Sequence, residues 1–216
     1  MRKLKTALMA NWGLGREILR YLLDRSEIEL VLIVTDWRED DPDQWRNAVY
    51  RLAGSKGLEI IPEKGLSFTL LRSKLMAAGT DLLLVHAFKR RLPRAVYSAP
   101  RMGTVNIHPS LLPRYRGPAP AYWVLKNREI KSGLTAHFVD DGLDTGAIVH
   151  QVELPLRPDD TLESLLERQK ALVNDLMTET LRRLLDSGFK PRPQDETLAS
   201  YAPRPHQPGE EIHVHP

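Results

Sequence analysis

The apolar positions of this chain switch repeatedly between the spacing of a buried strand and that of a helix. Lys5 to Ala10 is a short apolar run of strand length. Asn11-Trp12-Gly13-Leu14-Gly15 reads as a glycine turn, and Arg16 to Asp24 then places Ile18, Leu19, Leu22 and Leu23 on one helical face. Ile28 to Val34 is a β-branched strand ending at Thr35-Asp36. Asp43 to Lys56 has helical spacing, with Trp45, Val49, Leu52 and Ala53 on one side. Leu58 to Ile61 is a short strand stopped by Pro62, Leu66 to Ala78 a helix, and Asp81 to His86 a strand around Leu82-Leu83-Leu84-Val85. Strands that alternate with helices in this way predict a parallel sheet covered on both faces. Right-handed crossovers then make it a doubly wound, Rossmann-like α/β fold.

The second half is patterned differently. Thr104 to Ile107 is a strand, and Pro118 to Lys126 a helix with proline in its first turn. Leu134 to Val139 and Ala147 to Leu154 are two strands whose short connection predicts a hairpin. Asp160 with Glu163 resembles a capping box opening one long helix to about Asp186. From Phe189 to Pro216 the chain has six prolines and little periodicity. It reads as an extended tail, packed on the surface or partly disordered. The expected division is therefore a catalytic domain over 1–188 and a proline-rich extension over 189–216.

Composition narrows the chemistry. With 42% hydrophobic and 27% charged residues the chain can bury a core. The absence of cysteine removes disulfides, thiolate catalysis and cysteine-type zinc sites, and fits a cytoplasmic protein. No apolar run reaches the roughly 18 residues of a membrane span. A net charge of +3 suits an anionic small molecule or a nucleic acid without choosing between them. His206, His213 and His215 lie in the tail without a carboxylate framework, so no metal site is expected.

The densest chemistry lies between Asn106 and Gly146. Asn106 and His108 are two apart at a strand end, so on extended backbone they face the same side. An amide N–H and an imidazole placed together can hold a developing oxyanion, and the imidazole can move a proton near neutral pH. Asp144, in the turn Asp141-Gly142-Leu143-Asp144, is the carboxylate that can set the imidazole's protonation. Amide, imidazole and carboxylate without a serine or cysteine nucleophile point to direct acyl transfer to an amine or to water.

The words Asn106-Ile107-His108-Pro109-Ser110-Leu111-Leu112-Pro113, Arg116-Gly117 and Asp144-Thr145-Gly146 resemble the 10-formyltetrahydrofolate-dependent formyltransferases. That family includes glycinamide ribonucleotide, methionyl-tRNA and sugar N-formyltransferases and formyltetrahydrofolate hydrolase. The resemblance implies Asn106, His108 and Asp144 as the catalytic trio, with Thr135 and His137 in support. It implies 10-formyltetrahydrofolate as the co-substrate. The pterin would be contacted by Phe88, Lys89, Arg90, Arg91 and Leu92 and by the loop holding Val139, Asp140 and Asp141. Lys89, Arg90, Arg91 and Arg94 could reach the folate's glutamate tail.

For the acceptor, the resemblance implies binding through the turn with Asn11, Gly13 and Gly15 and through Arg116 and Gly117. The turn departs from the Gly-Ser-Asn phosphate loop of the glycinamide ribonucleotide branch. The methionyl-tRNA branch adds a C-terminal barrel domain, and residues 189–216 are too few for one, so a tRNA acceptor is not expected. The hydrolase branch usually has a regulatory domain ahead of this one, so transfer is expected over hydrolysis. Arg116 to Pro120 with Tyr122-Trp123 looks nearer to the sugar and tRNA branches. The expected acceptor is a small-molecule amine such as a nucleotide-linked amino sugar. Glycinamide ribonucleotide, hydrolysis, and a non-catalytic folate- or nucleotide-binding module remain as alternatives.

Overall fold

The computed structural model describes residues 2–36 and 47–205, which fall into two compact units, Met1–Asn106 and Ile107–Pro216. In the first, β1 (Leu4–Ala10), β2 (Ile28–Thr35), β3 (Ile61–Pro62), β4 (Leu82–His86) and β5 (Thr104–His108) lie in the order β3-β2-β1-β4-β5. All are parallel, with Met9 opposite Val34 and Val85, and Val85 opposite Asn106. This is the doubly wound arrangement that the alternating pattern predicts. Residues of β1 and β4 alternate between its faces. Ala7, Met9, Leu83 and Val85 pack with Leu71 and Leu75 of α3 (Phe68–Ala77) and Val96 of α4 (Arg94–Tyr97). Leu8, Leu82 and Leu84, on the opposite face, are also wholly buried. A parallel sheet needs such cover on both sides.

Two expectations here are corrected. No glycine turn follows β1: α1 (Trp12–Leu23) starts directly after Asn11 and takes Gly13 and Gly15 into its first turn. A Cβ on Gly15 would sit 3.0 Å from the Ala10 Cβ and 3.1 Å from Val49 Cγ2, so this glycine lets helix and strand approach closely. The expected strand at Leu58 shrinks to the two-residue β3. Pro62 is tolerated there because an edge strand has no ladder donor to lose. The helix expected over Asp43 to Lys56 is α2 (Ala48–Ser55) where it is described; Asp43 to Arg46 lie outside the described residues.

In the second unit, β6 (Lys131–Phe138) and β7 (Ile148–Pro155) form the expected antiparallel hairpin. The single long helix is instead two, α6 (Leu162–Ala171) and α7 (Val173–Leu185). The capping box also sits one residue later than expected. Thr161 and Ser164 exchange side chain-to-backbone bonds at 2.9 and 3.1 Å, while Asp160 accepts from Ser164 Oγ and pairs with Arg168. The α5 helix (Pro120–Lys126) packs Ala121 and Leu125 against Leu154 and Leu165. Gln169, wholly buried in α6, donates to the Pro109 and Gly133 carbonyls and so ties the chain just after β5 to β6.

Over its described residues the tail packs against the strands and loops of this unit. Arg192 exchanges two backbone bonds with Ile148, Arg116 bridges to Tyr201, and Leu198 closes a 3-10 turn, Glu196–Leu198. The tail histidines His206, His213 and His215 lie outside the described residues. Among the described residues no helix is long and apolar enough to cross a membrane.

Candidate active site

β5 delivers Asn106 and His108 to one side of its end, and the chain then folds back tightly on itself. Ser110, wholly buried, donates to the Arg114 carbonyl at 2.8 Å. Thr135 of β6 donates to the Ser110 carbonyl at 2.6 Å and accepts from the Leu112 amide and from Gln151 Nε2. Its hydroxyl therefore holds the loop after β5 in shape. The Leu112–Pro113 peptide is cis, and Tyr115 has φ 62°. The Tyr115 carbonyl lies 2.8 Å from His108 Nε2.

A carbonyl can only accept, so Nε2 carries the proton and Nδ1 is the basic nitrogen of neutral His108. Nδ1 faces Asp144 Oδ2 at 3.6 Å. His137 is arranged in the same way. Its Nδ1 lies 2.8 Å from the Phe138 carbonyl, and its Nε2 faces Asp144 Oδ1 at 3.6 Å. The two rings are nearly perpendicular, with centroids 6.3 Å apart. One carboxylate thus stands between two imidazole nitrogens. All three groups are largely buried, the side chains being 5, 13 and 2% exposed.

Asp144 has φ 54°, a left-handed conformation that few non-glycine residues take. Its Oδ2 accepts the Gly117 amide at 2.8 Å. Burial by itself would raise this carboxyl. The charge of His108, the hydrogen bond and charge of His137 and the Gly117 N–H outweigh that and hold it well below the usual carboxylate range. Burial also lowers the pKa of His108, against the pull of Asp144 and the Tyr115 carbonyl. The site rests as an ionised carboxylate beside a neutral imidazole.

The remaining expected site residues are distributed differently. Val139 and Asp140 are half-buried and Asp141 is exposed in the loop before Asp144. Asp140 accepts from the Gly142 amide and the Thr145 hydroxyl, which closes that loop. Arg116 is held by two residues of the tail. Its guanidinium makes two bonds to Gln194 Oε1, at 3.1 and 2.8 Å, and two to the Glu196 carboxylate, at 2.8 and 2.7 Å. Gly117 has φ 111°, and a Cβ there would lie 2.5 Å from the Tyr201 ring.

In the first unit, the Asn11 amide is completely occupied. Its oxygen accepts from the Thr35 hydroxyl and the Asp36 amide, and its nitrogen donates to Glu63 and the Ala87 carbonyl, at 2.7–3.1 Å. It holds the ends of β1, β2 and β4 together. Phe88 packs against the core cluster and Leu92 belongs to it. Lys89 pairs with Asp36. Arg90 donates to the Leu66 carbonyl and lies over the Phe68 and Phe88 rings, whereas Arg91 is exposed.

Sequence reasoning missed the Tyr115 carbonyl, the Gly117 amide and the tail residues Gln194 and Glu196. Backbone groups leave no composition signal, and the tail has no periodicity to mark it.

The family described as Formyl transferase matches residues 28–181. The methionyl-tRNA formyltransferase of Syntrophus aciditrophicus (strain SB) is 40% identical over 152 residues, covering 70% of this chain and 48% of that protein. The chain spans about half the length of the curated relatives it matches. Among solved structures, glycinamide ribonucleotide transformylase 1 from Symbiobacterium toebii has a TM-score of 0.72 at 23% identity, covering 89% of this chain and 95% of that one. A sugar 3N-formyl transferase, WlaRD, solved in the presence of dTDP and 5-N-formyl-THF, has a TM-score of 0.73 at 18% identity, covering 94% of this chain and 71% of that one.

These relatives correct the expectation of a small-molecule amine and of no tRNA acceptor. That expectation rested on the number of residues after the catalytic segment, whereas the curated relatives matched at 33–42% identity are methionyl-tRNA formyltransferases. The match over residues 28–181, most of the chain, means that this chain belongs to the formyl transferase family.

Proposed function

We propose that this chain transfers the formyl group of 10-formyltetrahydrofolate to an amine, and that the acceptor is the α-amino group of methionyl-tRNA. The observation that carries the chemistry is Asp144 held 3.6 Å from one nitrogen of each of two buried histidines, with both tautomers set by carbonyls. The acceptor rests on the methionyl-tRNA formyltransferase relatives, one of them 35% identical over 187 residues. The nucleotide-linked amino sugar has a likeness of fold alone behind it, at 18% identity. The folate is supported by the family and by the 5-N-formyl-THF with which that sugar enzyme was solved. We place the reaction in the cytoplasm, with aminoacyl-tRNA.

In this reading the amine nitrogen attacks the formyl carbon. The N–C bond forms, and the carbonyl oxygen becomes an oxyanion. Asn106 donates to it, and His108 does so once its Nδ1 has taken up the amine's proton. The amine's proton passes to the His108–Asp144 pair, where the carboxylate stabilises the imidazolium. The bond from carbon to N10 then breaks, and the folate nitrogen takes up a proton. Direct attack needs no covalent enzyme intermediate. The backbone groups of Val139 to Asp144 would meet the pterin's polar edge.

The test follows tetrahydrofolate release from 10-formyltetrahydrofolate in four parallel reactions, with methionyl-tRNA, with a nucleotide-linked amino sugar, with glycinamide ribonucleotide and with no amine. Turnover with methionyl-tRNA, and little without an amine, is the expected result. Turnover independent of any amine would make the chain a hydrolase. Folate binding without turnover in every arm would make it a binding module.

A further inference from the structure

The tail after α7 does more than cover surface. It crosses the active-site loops at three places. Arg192 exchanges backbone bonds with Ile148 at 2.9 and 2.7 Å. Gln194 Nε2 donates to the Asp144 carbonyl at 2.9 Å and to the Gly146 carbonyl at 2.8 Å. Ser200 then accepts the Tyr115 amide on its hydroxyl and the Arg116 amide on its carbonyl, both at 2.9 Å. The tail therefore grips both peptide segments that define the catalytic geometry: the Tyr115 carbonyl that sets His108, and the left-handed turn that carries Asp144.

Gln194 is the centre of this arrangement. Both ends of its amide are used. The oxygen accepts two bonds from Arg116, and the nitrogen bridges the carbonyls on either side of Thr145. Arg116 is fixed in turn by the Glu196 carboxylate. The neighbouring Gly117 amide donates to Asp144 Oδ2, so Arg116 and Gln194 brace the Asp144 turn from two directions. We propose that Gln194 is a positioning residue that holds Asp144 at its working distance from His108, and that the tail is thereby part of the active site's construction.

The physical argument is one of restraint. Asp144 sits at φ 54°, a conformation that is unfavourable for a residue with a side chain and persists only where its surroundings impose it. The carbonyls of Asp144 and Gly146 would otherwise turn toward solvent. Two donors from a single planar amide fix both peptides at once. A carboxylate moved by about 1 Å away from His108 would lose much of the orientation on which proton transfer depends.

The proposal rests on the formyl-transfer reading for its kinetic readout, and a second readout stands apart from that reading. Gln194→Met is nearly isosteric and leaves Arg116 its carboxylate partner. Gln194→Ala is the second variant, in case the first misfolds. Each is expected to lower kcat for formyl transfer by about 10- to 100-fold, with KM for 10-formyltetrahydrofolate within about twofold. Independently, the His108 ring is titrated by nuclear magnetic resonance in histidine-labelled protein. The titratable groups facing it are Asp144 and His137, with Arg116 and Asp140 around Asp144. Loss of the nearby carboxylate moves the His108 midpoint further down, by about half a pH unit or more.

Glu196→Gln weakens the same anchor without touching the Asp144 turn and is expected to change kcat by less than about threefold. Lys190→Ala, exposed at the start of the tail, serves as the neutral control. An unchanged kcat and His108 midpoint in both Gln194 variants would overturn the proposal. So would an equal effect from Glu196→Gln, since Gln194 would then only fasten the tail. If the wild-type chain transfers no formyl group, the functional reading fails, and the His108 midpoint alone decides whether Gln194 positions Asp144.

Discussion

At the end of β1 the Asn11 amide closes four hydrogen bonds at 2.7–3.1 Å. At the end of β5, His108 makes one at 2.8 Å and holds its other nitrogen 3.6 Å from a carboxylate. Both positions follow an apolar strand and both are buried. The first is also the switch point of the sheet, between β1 and β4, where open α/β folds commonly bind ligands. The difference lies in what remains after internal pairing. Asn11 has satisfied every donor and acceptor, so it contributes stability. His108 and Asp144 have been brought close and kept short of a closed hydrogen bond, so they keep capacity for a proton that arrives during reaction.

The largest test of this contrast is Asp144→Asn. The amide keeps the shape of the carboxylate and loses the charge that stabilises an imidazolium. Formyl transfer should fall by about 10³-fold or more, with folate affinity little changed. His108→Ala comes next, with a loss of about 10²- to 10³-fold by the same assay. Full activity in either variant would remove the pair from the chemistry.

Asn11→Ala probes the other side of the comparison. It leaves the Glu63 carboxylate, the Thr35 hydroxyl and backbone groups without their partner. The expected loss is about 2–3 kcal/mol in denaturant unfolding, with kcat preserved in the folded protein. A drop in kcat without a stability loss would mean that the strand end at β1 takes part in catalysis. Gly117→Ala should cost about 2 kcal/mol, because its φ of 111° and the 2.5 Å approach of Tyr201 both oppose a side chain.

The smallest effect is the pH dependence of stability. Folded His108 titrates below the imidazole's ordinary value of about 6.5, so in that window the unfolded chain binds more protons. Stability is therefore fully present above about pH 6.5 and declines on acidification. Asp144 adds a second decline below about pH 4, because its carboxyl is also held low in the fold. Urea unfolding midpoints between pH 8 and 5 should fall with pH, and should fall less in His108→Ala.

The parts of the molecule that were legible in the sequence are the ones set by local pattern. β1 and β4 are apolar runs of strand length, β5 carries β-branched residues at Thr104, Val105 and Ile107, and the hairpin of β6 and β7 follows from alternation around a short turn. Asn106, His108 and Asp144 stand at strand and turn ends, where their chemistry is readable from residue type and spacing. Gly15 was misread because a glycine for tight packing and a glycine for a turn look alike until the partners, here Ala10 and Val49, are known. The capping box moved by one residue because Thr161 and Ser164 compete for the same geometry as Asp160 and Glu163. The role of the tail was out of reach. Gln194 meets the Asp144 carbonyl across 50 residues, and no local pattern records such a contact. The acceptor was misjudged because chain length was used as evidence about chemistry.

The most direct test of the central claim is a single-turnover comparison of wild type and Asp144→Asn, following tetrahydrofolate formation from bound 10-formyltetrahydrofolate after methionyl-tRNA is added. The account predicts a fast product phase in the wild type and none in the variant on the same timescale, with equal folate bound at the start. Equal product phases in the two proteins would contradict it.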